Sequence, residues 1–158
     1  MPLLPARLRR REPRFPALVP VPAMAELPAA RLQASARYLG TLDEDGERVV
    51  GQSLAARSAA RLSLSAEALD VVRIAGSFRI PVEALRGASG SERFAGKAVP
   101  DLLLVRWSHG DHRWETGFRL DPSKGLDRLD RTSRSTPDVG AWVRTISKLA
   151  RSNGRGDQ

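Results

Sequence analysis

The chain has 158 residues, 41% of them hydrophobic and 28% charged, which suits one domain with a compact core and some terminal excess. Cysteine is absent, so disulfide frameworks, thiol nucleophiles and Cys-ligated zinc or iron–sulfur centres are excluded. With two histidines and no long apolar run, the sequence offers neither a His-rich metal cage nor a spanning helix.

The formal charge is +8, and its layout says more than its size. Residues 1–35 hold six arginines against Glu12 and Glu26, and residues 122–158 hold eight basic groups against four acidic ones. Residues 36–121 carry twelve of each sign, so the middle has no net field to steer a polyanion. Only Lys97, Lys124 and Lys148 are lysines, an arginine bias that a GC-rich genome produces.

Seven of the eleven prolines lie at or before Pro28. Proline removes a donor and blocks helix propagation, so Phe15 to Ala25 is expected to be extended and mobile, within a disordered Pro/Arg-rich segment 1–35. This stretch is shorter than the about 20 residues a spanning helix needs, and it lacks a signal peptide's uninterrupted apolar centre. Just upstream, Arg7, Arg9, Arg10, Arg11 and Arg14 form a basic cluster suited to anionic lipid, at about 1 kcal/mol per charge near the surface. A solvated tail is the plain alternative.

A folded domain is expected over 36–150. Arg37 to Thr41 predicts a first strand, and Asp43-Glu44-Asp45-Gly46 a polar turn. Gly51 to Ala60 is weakly patterned and reads as loop or irregular strand. Leu62 and Leu64 alternate with Ser63 and Ser65, the period of a half-buried strand. Leu69 to Ile74, the turn Ala75-Gly76-Ser77 and Phe78-Arg79-Ile80 read as strand, hairpin, strand. Pro81 marks a strand end or bend, with Val82 to Ala88 continuing in the sheet.

The firmest element is a hairpin from Leu102 to Leu120. A two-residue Gly110-Asp111 turn sets His109 opposite His112, Trp107 opposite Trp114, Arg106 opposite Glu115 and Leu103 opposite Phe118. One face then holds Leu103, Val105, Trp107, Trp114 and Phe118, and the other holds the Arg106–Glu115 pair. A slip of one residue would bury the charges and expose the indoles, so the pattern specifies its own register. A polar loop follows to Ser135. Thr136 is expected to cap a helix, with Pro137 in its first turn and Asp138 complementing the dipole. Val139, Trp142, Val143, Ile146, Leu149 and Ala150 make one apolar stripe, Arg144 and Lys148 lie opposite, and Asn153-Gly154 ends the helix before a disordered tail, 151–158. The fold class expected is therefore mainly β: a small barrel or sandwich of about six or seven strands, capped by a C-terminal amphipathic helix.

Motifs for chemistry are few. Gly90 to Lys97 has the wrong spacing for a phosphate loop, Ala98 stands where a magnesium-binding hydroxyl is needed, and Pro100 forbids the following helix. Gly96 and Lys97 read instead as a turn, with Lys97 or Arg93 beside an anionic head group as the functional alternative. His109, Asp111 and His112 across a tight turn lack a dependable third or fourth metal ligand. Trp107, Trp114 and Trp142 read as core anchors rather than stacking platforms for bases. The carboxylates are scattered, there is no nucleophile elbow, and Arg155-Gly156-Asp157 reads as a chance tripeptide. No catalytic residue, metal site or cofactor is expected.

Tyr38-Leu39-Gly40-Thr41, Ala60-Arg61-Leu62-Ser63-Leu64, Ile80-Pro81, Phe94-Ala95-Gly96-Lys97, Leu102-Leu103-Leu104-Val105-Arg106-Trp107 and Glu115-Thr116-Gly117-Phe118-Arg119 carry a resemblance over about two thirds of the chain. The sequence resembles the small PH-like-domain proteins of actinobacteria, loosely labelled export, membrane or transporter proteins and encoded among pyrimidine-biosynthesis genes. The resemblance implies a PH-like β-barrel closed by a C-terminal helix, and it brings no catalytic residues. Such proteins usually begin with one membrane helix before an Arg-rich stretch; here the stretch is present without the helix, and a missing N-terminal piece is the expectation. The function expected is a non-catalytic scaffold or protein-interaction module at the cytoplasmic membrane face, or in the cytoplasm if the anchor is truly absent. Arg7, Arg9, Arg10, Arg11 and Arg14 would contact anionic lipid, and an exposed sheet edge or barrel rim an unknown protein partner. The alternatives are a nucleic-acid binder using both basic arms, which the neutral middle disfavours, and an accessory subunit of a pyrimidine-pathway enzyme.

Overall fold

A computed structural model describes residues 15–23, 26–124, 134–135 and 137–156. Its strands are β1 (Leu32–Leu42), β2 (Ser58–Leu64), β3 (Ala68–Val72), β4 (Phe78–Pro81), β5 (Leu85–Phe94), β6 (Lys97–His109) and β7 (His112–Leu120). Two-residue strands β8 (Ser123–Lys124) and β9 (Arg134–Ser135) pair with each other, and helix α1 (Val139–Gly156) follows.

The seven long strands form one antiparallel sheet in the order β4-β3-β2-β1-β7-β6-β5. β1 serves both halves: Leu32 to Tyr38 pairs with β2, and Ala36 to Leu42 pairs with β7 across a bulge between Tyr38 and Gly40. Such a bulge bends its strand and tightens the twist, which curls the sheet around one interior. The sheet stays open between β4 and β5, which are joined by a 3-10 turn at Val82–Ala84; α1 lies against β5 and this turn. The helix thus closes the one gap that strand pairing leaves.

The β6–β7 hairpin has the expected register throughout, from His109 opposite His112 to Leu103 opposite Phe118. Gly110 has φ +59° and Asp111 stays outside the left-handed region, the type II′ pattern whose twist matches the flanking strands. Trp107 and Trp114 meet edge to face at 5.1 Å and are both buried, as is Trp142. With Tyr38, Leu62, Leu64, Phe78, Ile80, Leu85, Leu103, Val105 and Phe118 they form the interior, to which α1 adds Ile146 and Leu149. Arg144 and Lys148 face outward, as the stripe predicts.

Several boundaries differ from expectation. β1 starts at Leu32, so the domain edge expected at 36 falls inside a strand. Val82–Ala84 leaves the sheet as a 3-10 turn, because Pro81 cannot donate to the ladder and the Val82 amide bonds the Glu67 carbonyl instead. β6 begins at Lys97, well before Leu102, with Asp101 at φ +52° where the ladder with β5 shifts register. Thr136 lies outside the described residues; the cap on α1 is Asp138, whose carboxylate accepts the Ala141 amide at 2.9 Å. The helix runs past Asn153-Gly154 to Gly156, and the Asn153 side-chain amide donates to the Val82 carbonyl.

A second, smaller apolar cluster lies on the outer side of the sheet: Leu39, Phe94, Leu102 and Leu104. The β5–β6 hairpin folds its tip back so that the Phe94 ring rests on Gly117; a Cβ there would stand 2.7 Å from the ring. Only glycine admits this contact.

Candidate functional site

The described N-terminal residues do not hang free. Proline at 16 and 20 keeps the chain extended, and residues 15–19 lie as a strap across one end of the barrel. Phe15 meets Trp114 edge to face at 4.8 Å, with His109 and His112 at 6.2 and 6.4 Å. The Pro16 carbonyl accepts from His109 Nε2 at 2.7 Å and from Gln52 Nε2 at 3.2 Å, so His109 carries its proton on Nε2. Gln52 returns the clamp by accepting the Leu18 amide at 2.8 Å, and the Val19 carbonyl accepts the Arg79 amide of β4 at 2.8 Å. The strap therefore covers part of the β4 edge, which sequence reasoning left open to a partner strand.

The loop beneath the strap, between β1 and β2, is held by Arg73. Its guanidinium donates to the carbonyls of Gly76 at 2.8 Å, Ala56 at 2.9 Å and Ser53 at 2.8 Å, and it lies 4.1 Å from the Tyr38 ring centre. Burial pushes its pKa down, partly offset by Tyr38. Under it runs a buried chain of donors: Trp107 Nε1 to Thr116 (2.9 Å), the Thr116–Thr41 hydroxyl pair (2.8 Å), the Thr41–Tyr38 pair (2.8 Å), and Tyr38 to the Leu54 carbonyl (2.6 Å). The indole can only donate and the carbonyl only accept, so each hydroxyl between them donates once toward Leu54. Every polar group along this path is satisfied, which ties the core to the loop. Burial, against the Thr41 hydrogen bond and the Arg73 and Arg48 charges, pushes the Tyr38 pKa up to about 12.

This end of the barrel also displays its apolar side chains. Ile74 is fully exposed in the β3–β4 turn, where a Cβ on Gly76 would meet Ser53; Val50 precedes Gly51, where a Cβ would meet the Phe15 ring; and Val19 lies on the strap. Nearby, an open depression of about 690 Å³ is lined by Arg86, Arg106 and Arg113 and by Asp43, Glu44 and Glu115, a balanced set that selects no single charge.

Arg7, Arg9, Arg10, Arg11 and Arg14 lie outside the described residues, and Arg14 directly precedes the seated Phe15. His109 and His112 serve the strap, and among the described residues no three metal-ligating side chains come together. Lys97 sits at the β5–β6 tip, where Arg93 donates to the Gly96 carbonyl at 3.2 Å. No described helix is long and apolar enough to cross a membrane. The strap, Gln52 and Arg73 escaped sequence reasoning; Phe15 and Leu18, apolar among prolines, were the available signal. A search of curated proteins finds no match to the chain. Residues 15–134 match the family described as bacterial PH domain-like, a span that opens on the strap and contains all seven strands of the main sheet. The chain belongs to this bacterial PH domain-like family.

Proposed function

We propose that the protein is a non-catalytic PH-like interaction module that works at the cytoplasmic face of a membrane. Families of PH-like domains are generally non-enzymatic, which supports the first half of this reading. The observation that carries the second half is the seating of Phe15 on a rim that also presents Ile74, Val50 and Val19. The arginines of 7–14 end one residue before that fixed point in the sequence, which supports a basic arm joined to the chain at this rim. Each basic residue at an anionic surface contributes about 1 kcal/mol, and burying an isoleucine side chain adds about 1.5–3 kcal/mol. The actinobacterial proteins that the sequence resembles carry a membrane helix before their Arg-rich stretch, which supports the same orientation. The free part of the rim and the mixed-charge depression beside it then face a protein partner.

Flotation with phosphatidylglycerol vesicles tests this reading against phosphatidylcholine vesicles at low salt. Recovery is expected with the anionic vesicles alone, and Ile74→Ser is expected to reduce it. Equal recovery with both lipids would end the basic-arm mechanism.

A further inference from the structure

On the outer face of the sheet, within the part of the chain whose charges sum to zero, the fold gathers a second set of cations. Arg37 of β1 and Arg119 of β7 stand directly opposite each other in the ladder. Like charges in that position repel, and a sheet normally avoids them. Arg57, just before β2, and Lys97, at the tip of the β5–β6 hairpin, join them around a groove of about 220 Å³. Its remaining walls are Leu39, Phe94, Val99 and Pro100 with Ala98, so no carboxylate lines it. Among the described residues the only ion pair is Arg79–Asp70, and neither Asp101 nor Asp121, the acids closest along β6 and β7, neutralises the four. The concavity exists because the hairpin tip folds back, with Phe94 pressed on Gly117 and the tip residues forming a lip over the arginines.

We infer that this groove is a binding site for a small phosphate-bearing anion. Four cations that have no ion-pair partner among the described residues converge on one hollow and supply the charge, and arginine forks match phosphoryl oxygens two at a time. The apolar wall takes a short non-polar or planar remainder of the ligand. Its volume lies below the roughly 300–1,000 Å³ of pockets for drug-sized ligands, which favours one or two phosphoryl groups over a large cofactor. A single-stranded nucleic acid would need a basic track with stacking aromatics, whereas the one aromatic here, Phe94, is buried against glycine. The site is independent of the membrane reading, since it uses neither the strap nor the arginines of 7–14.

The test is calorimetric titration of the full chain with inorganic pyrophosphate at low ionic strength, beside the double variant Arg37→Gln/Arg119→Gln and the control Arg144→Gln on the exposed face of α1. The expected result is saturable binding that weakens at least tenfold, on the scale of lost charge-assisted bonds, in the double variant and is unchanged in the control. Pyrophosphate should also raise the melting temperature of the wild-type chain but not of the double variant. The double variant is expected to stay folded, because it removes a like-charge opposition. Absence of binding to the wild-type chain, or equal weakening by Arg144→Gln, overturns the site. So does tighter binding of an oligonucleotide than of pyrophosphate that the double variant leaves intact. Two further arms identify the source of the phosphate. Competition by soluble glycerol phosphate, with flotation unaffected in the double variant, supports the site with a free phosphate ester as ligand. Loss of flotation on phosphatidylglycerol vesicles in the double variant supports it with a lipid head group.

Discussion

Arg73→Met is the sharpest test of how the rim is held together. Arg73 is only 5% exposed and has no carboxylate partner among the described residues. Three carbonyls and the faces of Tyr38 and Phe78 hold it, at 4.1 and 5.7 Å from the ring centres. Methionine keeps much of the stem and removes every donor. Ser53 and Ala56 are exposed, so their carbonyls regain water, and each lost bond costs about 0.5–1.5 kcal/mol. Loss of the cation–ring contact adds about 0.5–2 kcal/mol, giving a gross loss of roughly 2–6 kcal/mol. Taking a guanidinium out of a buried position returns part of this, which leaves a net destabilisation of about 2–3 kcal/mol.

Urea denaturation should report that loss, and thermal melting a fall of roughly 6–12 °C. The location of the damage is as telling as its size. The amides of Leu54 and Ala56, bonded to Gly51 and Ser53 within the loop, should lose hydrogen-exchange protection before the β6–β7 hairpin does. Arg73→Lys keeps the charge without the three-way fork and should recover less than half of the stability. A methionine variant within about 0.5 kcal/mol of wild type, with loop exchange unchanged, would refute the view that Arg73 fastens this loop.

Three other perturbations probe neighbouring parts of the rim and sheet. Phe15→Ala removes an edge-to-face contact with Trp114 and should cost about 1–2 kcal/mol, with a red-shifted indole emission as Trp114 meets water; unchanged fluorescence would mean the strap does not sit there in solution. Tyr38 has its pKa raised from 10.0 to about 12, so the stability it contributes is complete below pH 10 and disappears as pH rises through 12, on the order of 2–3 kcal/mol. Tyr38→Phe should flatten that alkaline limb of the stability profile, and a wild-type profile already flat between pH 10 and 12 would count against it. Gly117→Ala forces a Cβ to within 2.7 Å of the Phe94 ring and should cost about 1–3 kcal/mol. Adding Phe94→Ala should abolish the extra cost of that alanine, which a double-mutant cycle measures.

Legibility followed the range over which each physical rule acts. The β6–β7 register could be read from the chain because a glycine turn, two indoles and an opposite-charge pair all constrain the same ladder. The stripe on α1 could be read because six apolar residues repeat at helical spacing. Asp138 reads from the chain as a charge that complements the dipole, and only the position of the first helical turn shows that its carboxylate caps the Ala141 amide. The strap was opaque for a different reason. Proline content predicts extension, but nothing local predicts that the Pro16 carbonyl will find His109 and Gln52. Arg73 reads as an ordinary strand-end charge until the loop at 51–57 closes over it.

The same distinction separates the two kinds of basicity in the molecule. Counting charges along the chain assigns the excess to the arms and leaves residues 36–121 neutral, which is correct as a sum and argues against a long polyanion track. A sum is blind to convergence. Arg37 and Arg119 meet only because β1 lies between β2 and β7 and pairs with both at once over residues 36–38. Lys97 reaches the same hollow only because Gly117 makes room for Phe94 and lets the hairpin tip fold back. A domain neutral overall can therefore hold a strongly cationic concavity, with its compensating acids spread elsewhere, such as Asp43, Glu44 and Glu115 around the mixed-charge depression. That separation favours a compact anion, whose charge fits inside the hollow, over an extended one whose flanks would meet those acids.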